Sequence, residues 1–358
     1  MALSRSDETD ILASLHAGPL DPSPWQTFLE RLRKRLGAEQ VALVIRAPGA
    51  NLQDWFAGHA PRSGAQARVV ELFGPADPLG LRHLRVERIY ALGDIVDPAD
   101  PVQVGIVRDL LMPAGENHLR MLRVTEPGGA MAWLRVSRAG GDFSAAVASI
   151  LSSLAPHLAI ALRSFVWAAQ VRRRAALCER VERLAGLGWI TFDPAGPVLD
   201  LSAGAREMLG QVPGLRPVAG ERLGLPDAAS ARALVQGLEA AAAGQGSALV
   251  LGLRPRIELR LLPHEGREPG LTGLLRLGNS PEPEAMVTPL IGLYGLSRSE
   301  ARLAAHLAAG ASLAEAAKAL SLTVETARTY SKRLFDKTGA RGQPDLVRHV
   351  LTGSAALG

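Results

Sequence analysis

Apolar residues recur along this chain in two periods, and the period changes several times. Ile11 to Leu36 follows a helical period broken at Gly18-Pro19 and Asp21-Pro22, and its second half puts Trp25, Phe28, Leu29, Leu32 and Leu36 on one face. The run Val41 to Pro48 predicts a buried strand, with Leu52 to Gly58 as its hairpin partner. Arg68 to Phe73 predicts a short helix, while Ile89 to Val96 and His118 to Val124 read as extended pieces. Met131 to Arg138 alternates, as a half-buried strand does. A long helix is predicted from near Phe143 to beyond Phe165, with Pro156 restarting or kinking it.

Within that helix Val147, Leu151, Leu154, Leu158, Ala161 and Phe165 alternate by fours and threes, the seam of a coiled coil. Leu151, Leu154, Leu158 and Phe165 are therefore the expected dimer contact; the alternative is a helix packed only on its own domain. Past Arg172-Arg173-Arg174 the apolar set resumes at Leu177, Val181 and Leu184, shifted in phase by two. Trp189 to Gly196 then reads as a strand entering a D-P-x-G turn, and Pro197 to Ser202 as the returning strand. Helices follow at Ala203 to Leu209 and Ala228 to Ala242, and strands at Ser247 to Leu253, Arg256 to Pro263 and Leu271 to Leu277. Three prolines between Asn279 and Pro289 predict a linker.

Leu296 to Leu346 carries the densest punctuation. Ser297 and Glu300 form a capping box, in which a serine hydroxyl and a glutamate three residues on satisfy each other's amides, so a helix is predicted from Arg298. It ends near Gly310; Ser312 and Glu315 repeat the box for a short helix through Leu320. Ser321-Leu322-Thr323 is a tight turn, and Thr323 caps a third helix from Val324 to about Lys337. Gly339 stops that helix and Pro344 sits in the first turn of a fourth. The third helix is expected to turn Val324, Ala327, Ser331, Leu334 and Phe335 inward, leaving Glu325, Arg328, Thr329, Lys332, Arg333 and Asp336 outside. A short helix, a tight turn and a basic helix make a helix-turn-helix, whose second helix can lie in a major groove.

This stretch resembles the LuxR-type four-helix DNA-binding domain of bacterial regulators, over about the last 60 residues. The resemblance rests on Leu296-Ser297 and Glu300, Ala309-Gly310, Glu315 and Ala317, Thr326, and the run Lys337 to Gly339. Ala327, Tyr330 and Ala340 depart from the pattern, where valine, histidine and valine are usual. The resemblance implies base contacts by Arg328, Thr329 and Lys332, phosphate contacts by Arg333 and Lys337, and Thr326 within the interface. Residues 1–165 resemble a GAF-like α+β sensor in architecture alone, and 188–280 a PAS-like α+β fold. The expected fold class is thus multidomain: GAF-like 1–165, connecting helix 166–187, PAS-like 188–280, linker 281–290 and an all-α helix-turn-helix domain 291–358.

Composition sharpens this picture in few places. At 358 residues the chain is too long for one core. Of its net charge of +5, four units lie from residue 291 onward, where nine Lys/Arg face five Asp/Glu; phosphate neutralisation calls for such a surplus. Only four of its 40 basic residues are lysines, and three of those lie in that segment. One cysteine, Cys178, excludes an intramolecular disulfide. No 18-residue run is wholly apolar and the N-terminus is polar, so a cytoplasmic protein without a membrane span is expected. His59, His83 and His118 are too scattered for a metal site. Phosphate-loop, nucleophile-elbow and H-E-x-x-H motifs are missing, so no cofactor, metal or enzymatic activity is expected.

Trp55, Phe56, Phe73, Tyr90 and Trp133 are the aromatics that a sensor could turn toward a small apolar effector. The expected function is a bacterial transcription regulator that binds double-stranded DNA as an effector-modulated homodimer. RNA polymerase is a further partner that the resemblance allows. The rival reading is a ligand-independent dimer whose first two domains only scaffold.

Overall fold

The computed structural model describes residues 5–21, 23–58, 65–215, 219–253, 255–263, 270–278 and 282–357; Pro22, His59 and Asn279 to Pro281 lie outside them. The chain divides into two compact units, residues 1–174 and 175–358.

The first unit begins with helices α1 (Arg5–Ala17) and α2 (Gln26–Leu36) and the hairpin β1 (Gln40–Arg46) and β2 (Gln53–Gly58). After helix α3 (Ala65–Glu71) come strand β3 (Ile89–Ala91) and one helical turn, α4 (Leu92–Ile95). The extended piece expected over Ile89 to Val96 is therefore extended only in its first three residues; the Asp94 carboxylate accepts from the Ala91 amide at 2.8 Å and starts the turn. Helix α5 (Pro101–Ile106) runs into a π-helical stretch, Val107–Leu111, which the sequence pattern does not announce. Strands β4 (His118–Thr125) and β5 (Met131–Arg138) and helix α6 (Ala145–Ala185) up to Arg174 complete it. The five strands are antiparallel in the order β2-β1-β5-β4-β3.

Strand β5 is not half-buried as its alternation suggests, for all six of its inner residues are buried. Ala132, Leu134 and Val136 join a core with α1, α2 and α6, while Trp133 joins a second core with Val69, Phe73, Leu81 and Leu111 across the sheet. A central strand covered on both faces loses the polar alternation of a solvated one.

Leu151, Leu154, Leu158 and Phe165 are 0, 0, 1 and 7 % exposed, packed in the first of these cores. The dimer contact expected of them is corrected: the four-three seam faces this unit's own sheet. Period identifies an apolar face without naming what covers it. Pro156 lies on the exposed side and α6 passes through it without a break, so one helical hydrogen bond is lost where solvent can replace it. By length and composition α6 could cross a membrane, but its N-terminal leucines are the buried core face just described.

The second unit opens on strands β6 (Leu187–Phe192) and β7 (Val198–Leu201) and helices α7 (Ala203–Gly210) and α8 (Ala228–Ala242). Strands β8 (Ser247–Leu253), β9 (Arg256–Leu261) and β10 (Leu271–Leu277) close an antiparallel sheet of order β7-β6-β10-β9-β8. This is the strand order of the first sheet repeated, so order alone does not separate a GAF-like from a PAS-like domain. Gly188 is required where β6 passes α7: a Cβ there would meet the Ala205 amide nitrogen at 2.6 Å.

The segment read as a linker, 281–290, carries most of helix α9 (Pro283–Tyr294) instead. Pro283 occupies its first turn, a position that needs no amide hydrogen, and Met286, Val287 and Leu290 are buried with the helices that follow. Those are α10 (Arg298–Ala308), α11 (Leu313–Ala319), α12 (Val324–Thr338) and α13 (Gln343–Thr352).

Because Leu154 is fully enclosed, Leu154→Ala is expected to cost the first unit about 2–5 kcal/mol. Denaturant unfolding measures it, and a loss below about 1 kcal/mol would return the leucine to the surface.

Candidate nucleic-acid interface

Three caps set the helices around α12. The Ser297 hydroxyl accepts from the Glu300 amide at 3.3 Å and the Glu300 carboxylate accepts from the Ser297 amide at 2.8 Å. Ser312 and Glu315 repeat this at 3.2 and 2.8 Å, and hydrogen bonds from the Ser312 hydroxyl and amide hold the Glu315 carboxyl below its ordinary range. The Thr323 hydroxyl accepts from the Thr326 amide at 3.1 Å. Between α11 and α12 the chain reverses at Ser321 with φ of 56°, a left-handed conformation that costs a non-glycine residue about 1–2 kcal/mol. The Leu322 amide reaching the Ala317 carbonyl at 2.9 Å closes this turn.

Ala327, Ser331 and Leu334 form the buried face of α12, and Phe335 is partly buried. Val324 is 42 % exposed, against the expectation that it packs inward, because the first turn of α12 extends past the core. Glu325, Arg328, Thr329, Lys332, Arg333 and Asp336 are all exposed. Arg328 lies 3.2 Å from Glu325 in a solvent-exposed pair one turn away, which competes weakly with any stronger anion. The Thr329 hydroxyl donates to the Glu325 carbonyl, leaving its methyl group and lone pairs outward. Lys332 and Arg333 have no intramolecular partner among the described residues.

Two residues assigned to the interface have other work. The Thr326 hydroxyl meets that of Thr323 at 2.8 Å and belongs to the cap. The Lys337 ammonium donates to the Glu300 carboxylate at 2.8 Å and to the Gly295 carbonyl at 3.2 Å. It ties the C-terminal end of α12 to the start of α10, so its expected role as a free phosphate contact is revised. The sequence holds no sign of this, since Glu300 and Lys337 are 37 residues apart. Burial acts to raise the Glu300 carboxyl, but the hydrogen bonds from Lys337 and Ser297 outweigh it and hold the group below its usual range.

The aromatics proposed for an effector do not converge. In the sheet Leu43 pairs with Trp55 and Val44 with Trp133, so the two tryptophans lie on opposite faces. Trp55 packs edge-on to Trp25 at 5.0 Å and to Phe165 at 5.5 Å. Phe73, Tyr90 and Trp133 belong to the other core; the Trp133 indole donates to the Leu81 carbonyl at 3.0 Å, and the Tyr90 hydroxyl accepts from the Arg85 amide at 2.8 Å. Phe56, next to Trp55 in sequence, is half-buried and in neither core. No cluster of three or more metal-ligating side chains occurs among the described residues.

The Glu300 pair has a pH signature. A carboxylate depressed in the folded state contributes its full stabilisation above its unfolded pKa of about 4.3 and loses it as pH falls through the lower folded value. Glu300→Gln is therefore expected to destabilise the C-terminal helices at neutral pH and to flatten their loss of stability below about pH 4.3. Thermal melts across acid pH test this, and parallel curves for the two proteins would exclude the pair as a source of stability.

No family model matches the sequence, and no curated protein matches it. Solved structures similar to the chain include the N-acylhomoserine-lactone-dependent LuxR family transcription factor CepR2 from Burkholderia cenocepacia, at 18 % identity and a TM-score of 0.33 over 45 % of this chain and 94 % of that one. Escherichia coli SdiA matches at 11 % identity and a TM-score of 0.29 over 91 % and 87 % of the two chains. The Vibrio cholerae VqmA–ligand–DNA complex matches at 17 % identity and a TM-score of 0.22 over 48 % and 84 %. CepR2 is named as a LuxR family transcription factor and VqmA among LuxR-type receptors.

Proposed function

We propose that this chain is a cytoplasmic LuxR-type transcriptional regulator that binds duplex DNA through α12. The observation that carries the reading is the free cationic face of that helix: Lys332 and Arg333 without partners, with Arg328 and Thr329 beside them, on a helix fixed at both ends. Arginine and lysine reach guanine edges and phosphates, and a threonine methyl meets that of thymine. Each module reads few base pairs, so two copies on a near-palindrome supply the affinity that one lacks. In this reading the first half receives a small-molecule input that shifts how paired subunits present α12. The close packing of Trp133 on Phe73, and of Trp55 on Trp25 across the sheet, favours the second reading, a dimer whose first two domains only scaffold.

Subunit pairing is better served by the outer side of α6 than by its buried seam. Ile160, Trp167 and Val181 fall at one position of a seven-residue repeat, flanked by Val171, Leu177 and Leu184, and all six are exposed. Trp167 at 66 % and Leu177 at 62 % exposure are costly to leave in water and gain most from a second copy.

Lys332→Ala and Arg328→Ala are each expected to weaken binding to a selected operator by about 1–3 kcal/mol at fixed salt. Lys337→Ala should chiefly lower the melting temperature, leaving the slope of affinity against salt close to that of the parent protein. Titration of labelled duplex measures this, and an operator affinity untouched by Lys332→Ala would sink the groove assignment.

Trp167→Glu with Val181→Glu is expected to convert a dimer to a folded monomer, since both side chains lie outside the cores. Sedimentation of the double variant tests the pairing surface, and a persistent folded dimer would move it off α6.

A further inference from the structure

Two histidines 141 residues apart in sequence meet on the outside of the first unit. His16 stands in the last turn of α1 and is exposed; His157 follows Pro156 in α6 and is partly buried. His16 Nε2 lies 3.4 Å from His157 Nδ1, with the ring centres 5.5 Å apart and the ring planes at 78°. Neither imidazole has another hydrogen bond or ion pair among the described residues.

Both rings are carried on backbone that is held from behind. Leu15, next to His16, is fully enclosed, and its carbonyl accepts from the Trp25 indole at 3.0 Å. Leu154 and Leu158, on either side of His157, are 0 and 1 % exposed. The core thus sets the separation of the two nitrogens, and a ligand that joins them has less freedom to remove.

That separation decides between two uses of the pair. An N–H hydrogen bond of ordinary strength spans about 2.7–3.2 Å, so the contact is long for one. Two nitrogens bound at about 2.0–2.1 Å to a tetrahedral zinc ion lie about 3.3–3.4 Å from each other. The right angle of a square-planar site, as copper(II) and nickel(II) favour, would bring them to about 2.8–3.0 Å at the same bond length. The observed distance is that of the tetrahedral ion. A metal takes the unprotonated imidazole, and burial, together with the nearby His157, holds His16 below the ordinary histidine range. We propose that His16 and His157 are two ligands of a zinc-ion site that ties α1 to α6, with water completing the tetrahedron. Two protein ligands are fewer than a structural zinc site uses, so the ion is exchangeable and the fold does not depend on it.

Zinc(II) chloride titrated calorimetrically into the full chain tests the site. Saturable binding is expected, and His16→Gln or His157→Gln alone should remove one zinc ion per chain from the stoichiometry or weaken its binding at least about tenfold. Both substitutions leave the enclosed leucines in place, so each variant should fold, as its melting temperature without metal will show. Rival donors are the exposed Cys178, Asp345 with His349 at 3.6 Å, and His118 with Asp142 at 3.8 Å. Zinc held by these would leave both variants unchanged. Cobalt(II) in place of zinc reports the geometry, since a tetrahedral ion absorbs visible light far more strongly than an octahedral one. Strong bands are expected from the parent protein and their loss from either variant. No saturable zinc binding, zinc binding undiminished in either histidine variant, or only the weak bands of octahedral cobalt would each overturn the proposal and leave the two rings a surface contact.

Discussion

The carboxylate of Glu300 is asked to do two things from one position. It accepts the Ser297 amide that begins α10, and it accepts the Lys337 ammonium that ends α12. Helices of this length are marginal in isolation and owe their order to tertiary contacts. A charged group shared between two helix ends fixes the angle of one against the other more sharply than apolar packing, which is non-directional. The exposed cationic face of α12 can therefore be made of side chains that fold the helices little, because its orientation is secured from behind.

The same division holds in the first unit. Its sheet is covered on both sides, and the two covers differ in character. One is a continuous apolar core formed with α1, α2 and α6. The other, built from short helices and turns, contains a buried ion pair between Glu116 and Arg135. Short elements with few buried contacts open at lower cost than long ones, so the second cover can open without disturbing the first.

How much of this was legible in the sequence follows from the range of each interaction. Capping boxes are three-residue relations, and α10, α11 and α12 start where Ser297, Ser312 and Thr323 predict. The Glu300–Lys337 pair and the Glu116–Arg135 pair are encounters in space and leave no spacing to read. Leu154 and Leu158 show an intermediate case: periodicity identifies their face as apolar, but a sheet and a second helix impose the same demand on it. The three prolines near residue 285 were legible as a break, but Pro283 falls in the first turn of α9 and Pro289 lies within it. That the two sheets share one strand order was invisible, because pairing between distant strands constrains burial parity and not residue identity.

The contrast between Lys332 and Lys337 reaches into the chemistry of their amines. A reagent approaches an exposed primary amine freely, whereas an ammonium group bonded to two acceptors is sterically engaged. The chain has four lysines: Lys34, Lys318 and Lys332 are exposed without partners among the described residues, while Lys337 is held by Glu300. Acetyl transfer, by a reagent or by a cellular acyl donor, would accordingly meet few side-chain amines on this protein, and one of them stands on the exposed cationic face of α12. Arginine-rich usage elsewhere thus leaves α12 one of few places on the chain addressable by amine chemistry.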